Sequence, residues 1–133
     1  YLAGVVFSDA GALRDLNALV HPAVMRDFDR WAAAQQSDYV ILESAILFEA
    51  GLEASVDRTV AVLAPAELRI ERTCRRDGCD PESVRRRIAA QADDDALCRR
   101  ADFTIVNVLE TDLEPAVAEL DKRFRHEARN FDS

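Results

Sequence analysis

The segment LRIERTCRRDGCDPESVRRRIAAQ, residues 68–91, decides the fold because it predicts two helices joined by a tight turn. The pair Asp77-Gly78 is typical of a turn. Asp80 is suited to cap the following helix, and Pro81 suits the first position of that helix. Because few apolar residues follow Ile70, we expect the second helix to project away from the core and to open easily.

Arginines lie on both predicted helices. Arg69, Arg72 and Arg76 are spaced so that they share one face of the first helix, and residues 85–87 add three arginines on the second. Guanidinium groups bind phosphate oxygens bidentately and stack on purines, so two such helices would form a clamp for polyphosphate. The alternative is a solvated surface in which these arginines pair with neighbouring carboxylates such as Glu71.

The charge distribution favours a ligand. Residues 69–100 contain nine of the 17 basic residues but only seven of the 25 acidic ones, whereas the whole chain has a net charge of −8. A local positive region on an acidic protein favours a small anionic ligand over a long nucleic acid, which needs an extended basic surface. The same acidity argues against binding to an anionic membrane.

Length and composition indicate one globular domain. A chain of 133 residues can bury a core, and 49% hydrophobic with 32% charged residues is typical of a globular protein. No apolar run approaches the roughly 20 residues that span a bilayer, and no signal peptide is apparent. Cys74, Cys79 and Cys98 lack a CxxC pair, so we expect reduced thiols, no metal site and a cytoplasmic location.

Three continuous apolar runs predict strands at residues 39–42, 59–63 and 103–106. None alternates polar with apolar residues, which favours strands buried on both faces of a parallel sheet. Helical patterns cover residues 10–20, 22–36, 65–76, 81–91, 94–100 and 113–126. Ser8 or Asp9 would cap the first helix, a break at His21-Pro22 would separate it from the second, and Trp31 is expected in the core. The fold class predicted is α/β.

Ligands of parallel α/β sheets bind beyond the carboxyl ends of the strands. Glu43 follows the first predicted strand, Asn107 follows the third, and Pro65 leads from the second into the arginine-bearing helix. This order would bring Glu43, Asn107 and the arginines to one edge of the sheet.

Five segments occur in the order and spacing of one known enzyme family. They are LNALVHPAV (16–24), ILESAILFEAG (41–51), LRIERTCRRDG (68–78), RRIAAQ (86–91) and ADFTIVN (101–107). Over nearly its whole length the chain resembles dephospho-CoA kinase, a P-loop kinase that phosphorylates the ribose 3′-hydroxyl of dephospho-CoA in the last step of coenzyme A biosynthesis. The resemblance implies a three-layer parallel sheet, ATP and Mg²⁺ as cofactors, and a small-molecule substrate.

The resemblance concerns the C-terminal two-thirds of that family. The 133 residues contain no GxxxxGK[ST] phosphate loop, and their only lysine is Lys122. The chain also departs from the family at Ala45 and at residues 108–110. We therefore expect one partial kinase domain, inactive alone, with a helical acceptor-binding part (residues 1–38), a core (39–67 and 101–133) and a lid (68–100).

The resemblance also implies roles for individual residues. Arg76 and Arg87 are the candidate catalytic residues, which would contact the phosphates and the transferred phosphoryl group. Arg72, Arg76 and Asn107 are the candidate ATP-binding residues, with Arg72 against the adenine face and Asn107 at its edge through side chain or backbone. The alternatives are a salt bridge between Arg76 and Asp77 and an ordinary turn role for Asn107.

His21, Glu43 and Phe48 are the candidate substrate-binding residues by the same resemblance. Helix capping by His21 and core packing of Phe48 are the alternatives. Two other functions are open from the sequence: another P-loop kinase, such as one for nucleoside monophosphates, or a non-catalytic fragment. The segments LNALVHP and ILFE favour the CoA enzyme, and the sequence does not define an oligomeric state.

Overall fold

The structure, a computed structural model, describes residues 9–91 and 93–131. The chain divides into two compact units, one up to Ile41 and the other from Leu42. In the first unit, helix α1 spans Ala10–Ala33. The Asp9 carboxylate caps it by accepting from the backbone N–H of Gly11 at 2.7 Å, which confirms one of the two predicted caps.

The predicted break at His21-Pro22 is wrong, because α1 runs through Pro22 without interruption. A proline inside a helix removes one N–H donor, here the one that would bond to the Ala18 carbonyl, and the other turns of this 24-residue helix keep theirs. The expected burial of Trp31 is also wrong, since it is 50% exposed and contacts Phe28 at a ring-centroid distance of 5.8 Å. No second helix or strand of the described part of this unit covers it.

The second unit is an α/β arrangement with a parallel sheet. Along the chain it contains a 3₁₀ helix (Leu52–Ser55), β1 (Val60–Leu63), α2 (Ala66–Asp77), α3 (Pro81–Ala89), α4 (Asp94–Arg100), β2 (Phe103–Val106) and α5 (Glu110–Phe131). β1 and β2 pair in parallel, with Val60 opposite Phe103 and Leu63 opposite Val106. The helices between them form the crossover that a parallel pair requires.

The first predicted strand, residues 39–42, is not a strand in this structure, whose described residues form a two-stranded sheet. A strand needs a partner backbone for its ladder, and the apolar pattern of a segment carries no information about that partner. Burial on both faces is likewise only partial. Ala61 and Ile105 are buried, but Val62 and Val106 are exposed.

The helical hairpin of α2 and α3 confirms the sequence prediction. Gly78 ends α2 with a left-handed φ of 63°, and the Asp80 side chain caps α3 by accepting from the Ser83 N–H at 3.1 Å. Val84 of α3 is only 3% exposed and α3 packs against α2. The projection of α3 away from the core stays a prediction.

Thr59 and Asp102 connect the amino-terminal ends of the two strands. The Thr59 N–H and hydroxyl each donate to Asp102 Oδ2 at 2.7 Å, and the Asp102 N–H donates back to Thr59 Oγ1 at 3.0 Å. Thr59 is buried. These hydrogen bonds, the one from the hydroxyl first, lower the pKa of the Asp102 carboxyl from its ordinary value.

Replacing Thr59 with valine is expected to reduce the free energy of unfolding by about 1–2 kcal/mol near neutral pH, because a hydrogen bond to a charged group is lost. A carboxyl whose pKa is lowered on folding stabilises the fold above its unfolded pKa of about 3.9, and this stabilisation disappears as the pH falls through the folded pKa. The difference between wild type and Thr59→Val should therefore shrink below about pH 4.

Chemical denaturation between pH 3 and pH 7 measures this difference. Thr104→Val on β2 is the matched control, because Thr104 is exposed and makes no side-chain hydrogen bond among the described residues. Equal midpoints for the two variants at pH 7, or a loss of unfolding free energy in Thr59→Val that is constant with pH, would contradict the role of this contact.

No helix in the described part of the chain is both long and apolar enough to cross a membrane.

Candidate functional site

Arg72 and Asn107 meet at the carboxyl end of β2. Arg72 lies on α2, and Asn107 is the first residue after β2. Arg72 Nη1 donates to the Asn107 carbonyl at 2.9 Å and to Asn107 Oδ1 at 3.0 Å, while Nη2 donates to the Val108 carbonyl at 2.9 Å. A planar guanidinium suits these three acceptors because its donors lie in one plane. The contact ties the arginine-bearing helix to the loop that follows the strand.

The groups that this contact leaves available define what the site can bind. The Asn107 N–H donates to the Leu63 carbonyl at 2.7 Å, so both backbone polar groups of Asn107 are already engaged. Its side-chain NH₂ makes no hydrogen bond within residues 9–91 and 93–131, and it can donate to a ring nitrogen. No aromatic ring of the described residues stacks on Arg72, which is only partly buried.

Arg76 forms the salt bridge that the sequence offered as the alternative. Its Nε lies 2.6 Å from Asp77 Oδ1 and its Nη2 lies 3.0 Å from Oδ2, a bidentate pair. The hydrogen bond from Arg76 lowers the pKa of the Asp77 carboxyl, and the same bond raises the pKa of Arg76. The Arg76 side chain is 75% exposed, so a stronger anion can replace Asp77 as its partner at little cost.

Arg87 lies on α3 and reaches back to the turn between the helices. Its Nη2 donates to Cys79 Sγ at 3.5 Å. The remaining arginines of the hairpin mostly pair with carboxylates: Arg69 with Asp94 at 3.2 Å, Arg75 with Glu71 at 3.6 Å and Arg85 with Glu67 at 3.3 Å. Solvated ion pairs therefore account for these three arginines.

The candidate acceptor-binding residues are divided between the two units. His21 lies on α1 in the first unit, whereas Glu43 is exposed and Phe48 is buried in the second. The Phe48 ring carries the Arg100 guanidinium 4.7 Å from its centroid, and Arg100 Nη2 donates to the Phe48 carbonyl at 3.1 Å. Phe48 thus packs in the core of its unit, the alternative considered from the sequence.

Arg100 was missed by the sequence reasoning. Besides its contacts with Phe48, it forms a salt bridge with Glu53 in the 3₁₀ helix. Backbone hydrogen bonding, followed by the hydrogen bond from Arg100, lowers the pKa of the Glu53 carboxyl from its ordinary value. Arg100 thereby ties α4 to the loop that contains Phe48. The one available signal was the position of an arginine at the end of a short helix, which is too common to predict a partner about 50 residues away.

No group of three or more His, Cys, Asp or Glu side chains suited to a metal ion occurs among the residues that the structure describes. The structural features instead define a class of protein. A parallel α/β unit whose arginine-bearing hairpin is bonded to the carboxyl end of a strand is typical of proteins that bind nucleotide-like anions.

Comparison with known proteins defines the family. The family model described as dephospho-CoA kinase matches residues 1–112. The dephospho-CoA kinase of Bacteroides fragilis (strain YCH46) is 39% identical over 120 residues, covering 90% of this chain and 58% of that protein. The dephospho-CoA kinase of Porphyromonas gingivalis (strain W83) is 35% identical over 130 residues, covering 97% of this chain and 64% of that protein.

The fold comparison agrees. The crystal structure of TT1252 from Thermus thermophilus superposes with a TM-score of 0.83 at 35% identity, covering 92% of this chain and 64% of that one. The chain belongs to the dephospho-CoA kinase family. The α/β prediction is confirmed. The chain spans less than two-thirds of the length of these relatives.

Proposed function

We propose that the complete protein transfers the γ-phosphoryl group of ATP to the ribose 3′-hydroxyl of dephospho-CoA, giving coenzyme A. The observation that carries the proposal is the family-model match over residues 1–112, which includes the arginine hairpin and Asn107. The free thiols of the three cysteines support action in the cytoplasm.

ATP fits the groups at the end of β2. Arg72 would stack a guanidinium face on the adenine, and the Asn107 amide would donate to a ring nitrogen. Because Arg72 is already held by three hydrogen bonds, it would lose little side-chain freedom when it binds the nucleotide. Mg²⁺ would neutralise phosphate charge, and it would reach the site together with the nucleotide.

Arg76 and Arg87 would act on the phosphates from the lid, residues 68–100. Arg76 would exchange its exposed Asp77 partner for phosphate oxygens, and Arg87 would leave the weak sulfur acceptor of Cys79 for a charged one. Cations placed at the oxygens of the transferred group stabilise the charge that spreads over them in the transition state.

His21, Glu43 and Phe48 would help to bind dephospho-CoA, the acceptor of the phosphoryl group. His21 and Glu43 supply polar side chains in the segments 16–24 and 41–51. The buried Phe48, held by Arg100, would give the second of these segments a fixed support. Residues 1–38 would then form the acceptor-binding part of a single kinase domain.

The test is an assay of the complete protein with ATP and Mg²⁺, in which dephospho-CoA and AMP are offered as alternative acceptors. We expect turnover with dephospho-CoA, detected as ADP release and as formation of CoA by chromatography, and none with AMP. Turnover of AMP alone would assign a nucleoside monophosphate kinase. Nucleotide binding without turnover of either acceptor would assign a non-catalytic protein.

A further inference from the structure

A short turn, residues 45–50, precedes the 3₁₀ helix and ends at a glycine. Gly51 takes a left-handed φ of 67°, and its N–H donates to the Phe48 carbonyl at 3.3 Å. The Leu52 N–H donates to the Leu47 carbonyl at 2.9 Å, which completes the Schellman arrangement of a helix end. A single helical turn is not stable by itself, so this one needs support from elsewhere in the fold.

Arg100, the last residue of α4, supplies support from 52 positions further along the chain than Phe48. Its Nη2 donates to the Phe48 carbonyl at 3.1 Å, and its guanidinium lies 4.7 Å from the centroid of the Phe48 ring. The Phe48 carbonyl thus accepts from the Gly51 N–H and from a cation, which suits the negative end of a helical turn. Because Phe48 is only 8% exposed, the turn is held by a buried ring as well as by its backbone.

Glu53 fixes the position of Arg100. It lies in the 3₁₀ helix directly after the turn and forms a salt bridge with Arg100 Nη2. An exposed ion pair alone would contribute little, and that is the ordinary interpretation of such a contact. Here the other carboxylate oxygen of Glu53 is buried without a hydrogen-bond partner in the part of the chain that the structure describes, and the same Arg100 nitrogen also bonds the backbone of the turn. Arg100 therefore joins the turn to the helix that follows it.

Other side chains of this segment are open to solvent. Glu43, two residues before the turn, is exposed, and Ile46 within the turn is 42% exposed. The segment thus combines a fixed, buried ring with exposed side chains. Loops that bind ligands commonly have this construction, because a rigid support sets the position of the groups that contact the ligand.

We propose that Arg100 is a positioning residue for the acceptor, which holds the turn of residues 45–50 in the conformation that binds dephospho-CoA. The inference rests on the proposed function, in which Glu43 and Phe48 belong to the acceptor site. Because Arg100 holds the turn before the ligand arrives, the free energy of ordering the turn is not subtracted from that of binding. Loss of Arg100 should therefore weaken acceptor binding and leave the binding of ATP, whose proposed contacts are other residues, unchanged.

Arg100→Met in the complete protein tests this inference. Methionine keeps an unbranched apolar side chain beside the Phe48 ring but donates to neither the Phe48 carbonyl nor Glu53. The KM for dephospho-CoA should rise about tenfold or more, because a hydrogen bond from a charged donor changes an equilibrium constant by about that factor. The KM for ATP and kcat should both stay within about twofold of wild type, since the lost interaction concerns ground-state binding of one substrate.

Arg99→Met is the matched control. Arg99 is the exposed neighbour of Arg100 on α4, and it forms no ion pair within residues 9–91 and 93–131. This variant removes the same charge from the same helix, so both KM values and kcat should equal those of wild type. A rise in the KM for dephospho-CoA as large as that of Arg100→Met would assign the effect to net charge and overturn the inference.

Hydrogen exchange measures the turn directly. The backbone N–H groups of Gly51 and Leu52 should exchange about tenfold faster in Arg100→Met than in wild type, and at the wild-type rate in Arg99→Met. Dephospho-CoA should slow the exchange of these groups in wild type, whereas ATP alone should not. Unchanged exchange in Arg100→Met would overturn the inference, as would an equal rise of both KM values or faster exchange with a wild-type KM for dephospho-CoA.

Arg100→Lys keeps the inference testable if Arg100→Met does not fold. Lysine provides a cation for Glu53, but it lacks the planar group that lies over the Phe48 ring while donating to the carbonyl. The KM for dephospho-CoA should then rise several-fold, with the KM for ATP unchanged. A wild-type KM for dephospho-CoA in Arg100→Lys would show that the guanidinium is not required and would refute its role.

The binding and turnover measurements separate this inference from the proposed function. Suppose that the protein does not phosphorylate dephospho-CoA, but that dephospho-CoA slows exchange at Gly51 and Leu52 in wild type and not in Arg100→Met. Phosphoryl transfer alone is then refuted. If turnover is normal, and the turn is neither protected by dephospho-CoA nor loosened by Arg100→Met, the role of Arg100 alone is refuted.

Discussion

Arg76→Ala in the complete kinase is expected to lower kcat about 10³-fold, with little change in the KM for dephospho-CoA. A lid arginine meets phosphate charge mainly in the closed, reacting complex. An interaction made only there reduces kcat and kcat/KM together when it is removed. The measurement is steady-state turnover over a range of dephospho-CoA concentrations at saturating ATP and Mg²⁺.

The salt bridge of Arg76 gives this experiment its controls. Arg75→Ala removes a neighbouring arginine of similar exposure whose partner is Glu71, and it should leave kcat near the wild-type value. Asp77→Asn removes the partner that Arg76 has to leave, and it should not reduce kcat. If Arg76→Ala retained full activity, or if Arg75→Ala lost as much as Arg76→Ala, Arg76 would be a surface residue whose purpose is the Asp77 pair.

Arg72→Ala is expected to weaken ATP binding about 10- to 100-fold while changing kcat much less, because stacking on adenine is present in the ground and transition states alike. Its three hydrogen bonds to Asn107 and Val108 would also be lost. A hydrogen bond from a charged donor contributes more to stability than one from a neutral donor, and the freed acceptors would then bind water. Titration calorimetry with ATP measures the affinity, and steady-state assays measure kcat.

The variant Arg72→Lys tests the effect of the positive charge separately from the effect of the planar guanidinium group. A lysine keeps the charge but cannot satisfy three coplanar acceptors or stack a flat face, so its affinity for ATP should stay close to that of Arg72→Ala. Asn107→Ala should lose less affinity for ATP than Arg72→Ala, since the two carbonyl acceptors of Arg72 are backbone groups and stay in place. Normal ATP affinity in Arg72→Ala would return this residue to a purely structural role.

The helical hairpin shows what local sequence can predict. Gly78, Asp80 and Pro81 act on their own backbone or on residues a few positions away, through a left-handed φ, a cap and a fixed first residue. Their effects do not depend on the rest of the fold, so the end of α2 and the start of α3 could be read directly from the sequence. β1 and β2 were also predicted, because continuous β-branched runs disfavour the alternatives.

Residues 39–42 and Pro22 show the limit of the same reasoning. The segment 39–42 has the composition of a strand, but pairing depends on a partner that its own sequence does not encode. Pro22 has the chemistry of a helix breaker, but in α1 it costs one hydrogen bond in a long helix. In both cases the secondary structure was decided by the sum of interactions over many residues and not by the local sequence.

The sequence by itself determined the α/β class, the arginine hairpin and the positive region on an acidic chain, because these follow from short-range backbone preferences and from composition. Only the tertiary structure decided which acceptors the arginines meet. Arg72 binds the loop after β2 and Arg100 binds the Phe48 segment, although both are arginines on helices. A guanidinium donates to any nearby oxygen, so its partner is set by which backbone the fold brings within about 3 Å.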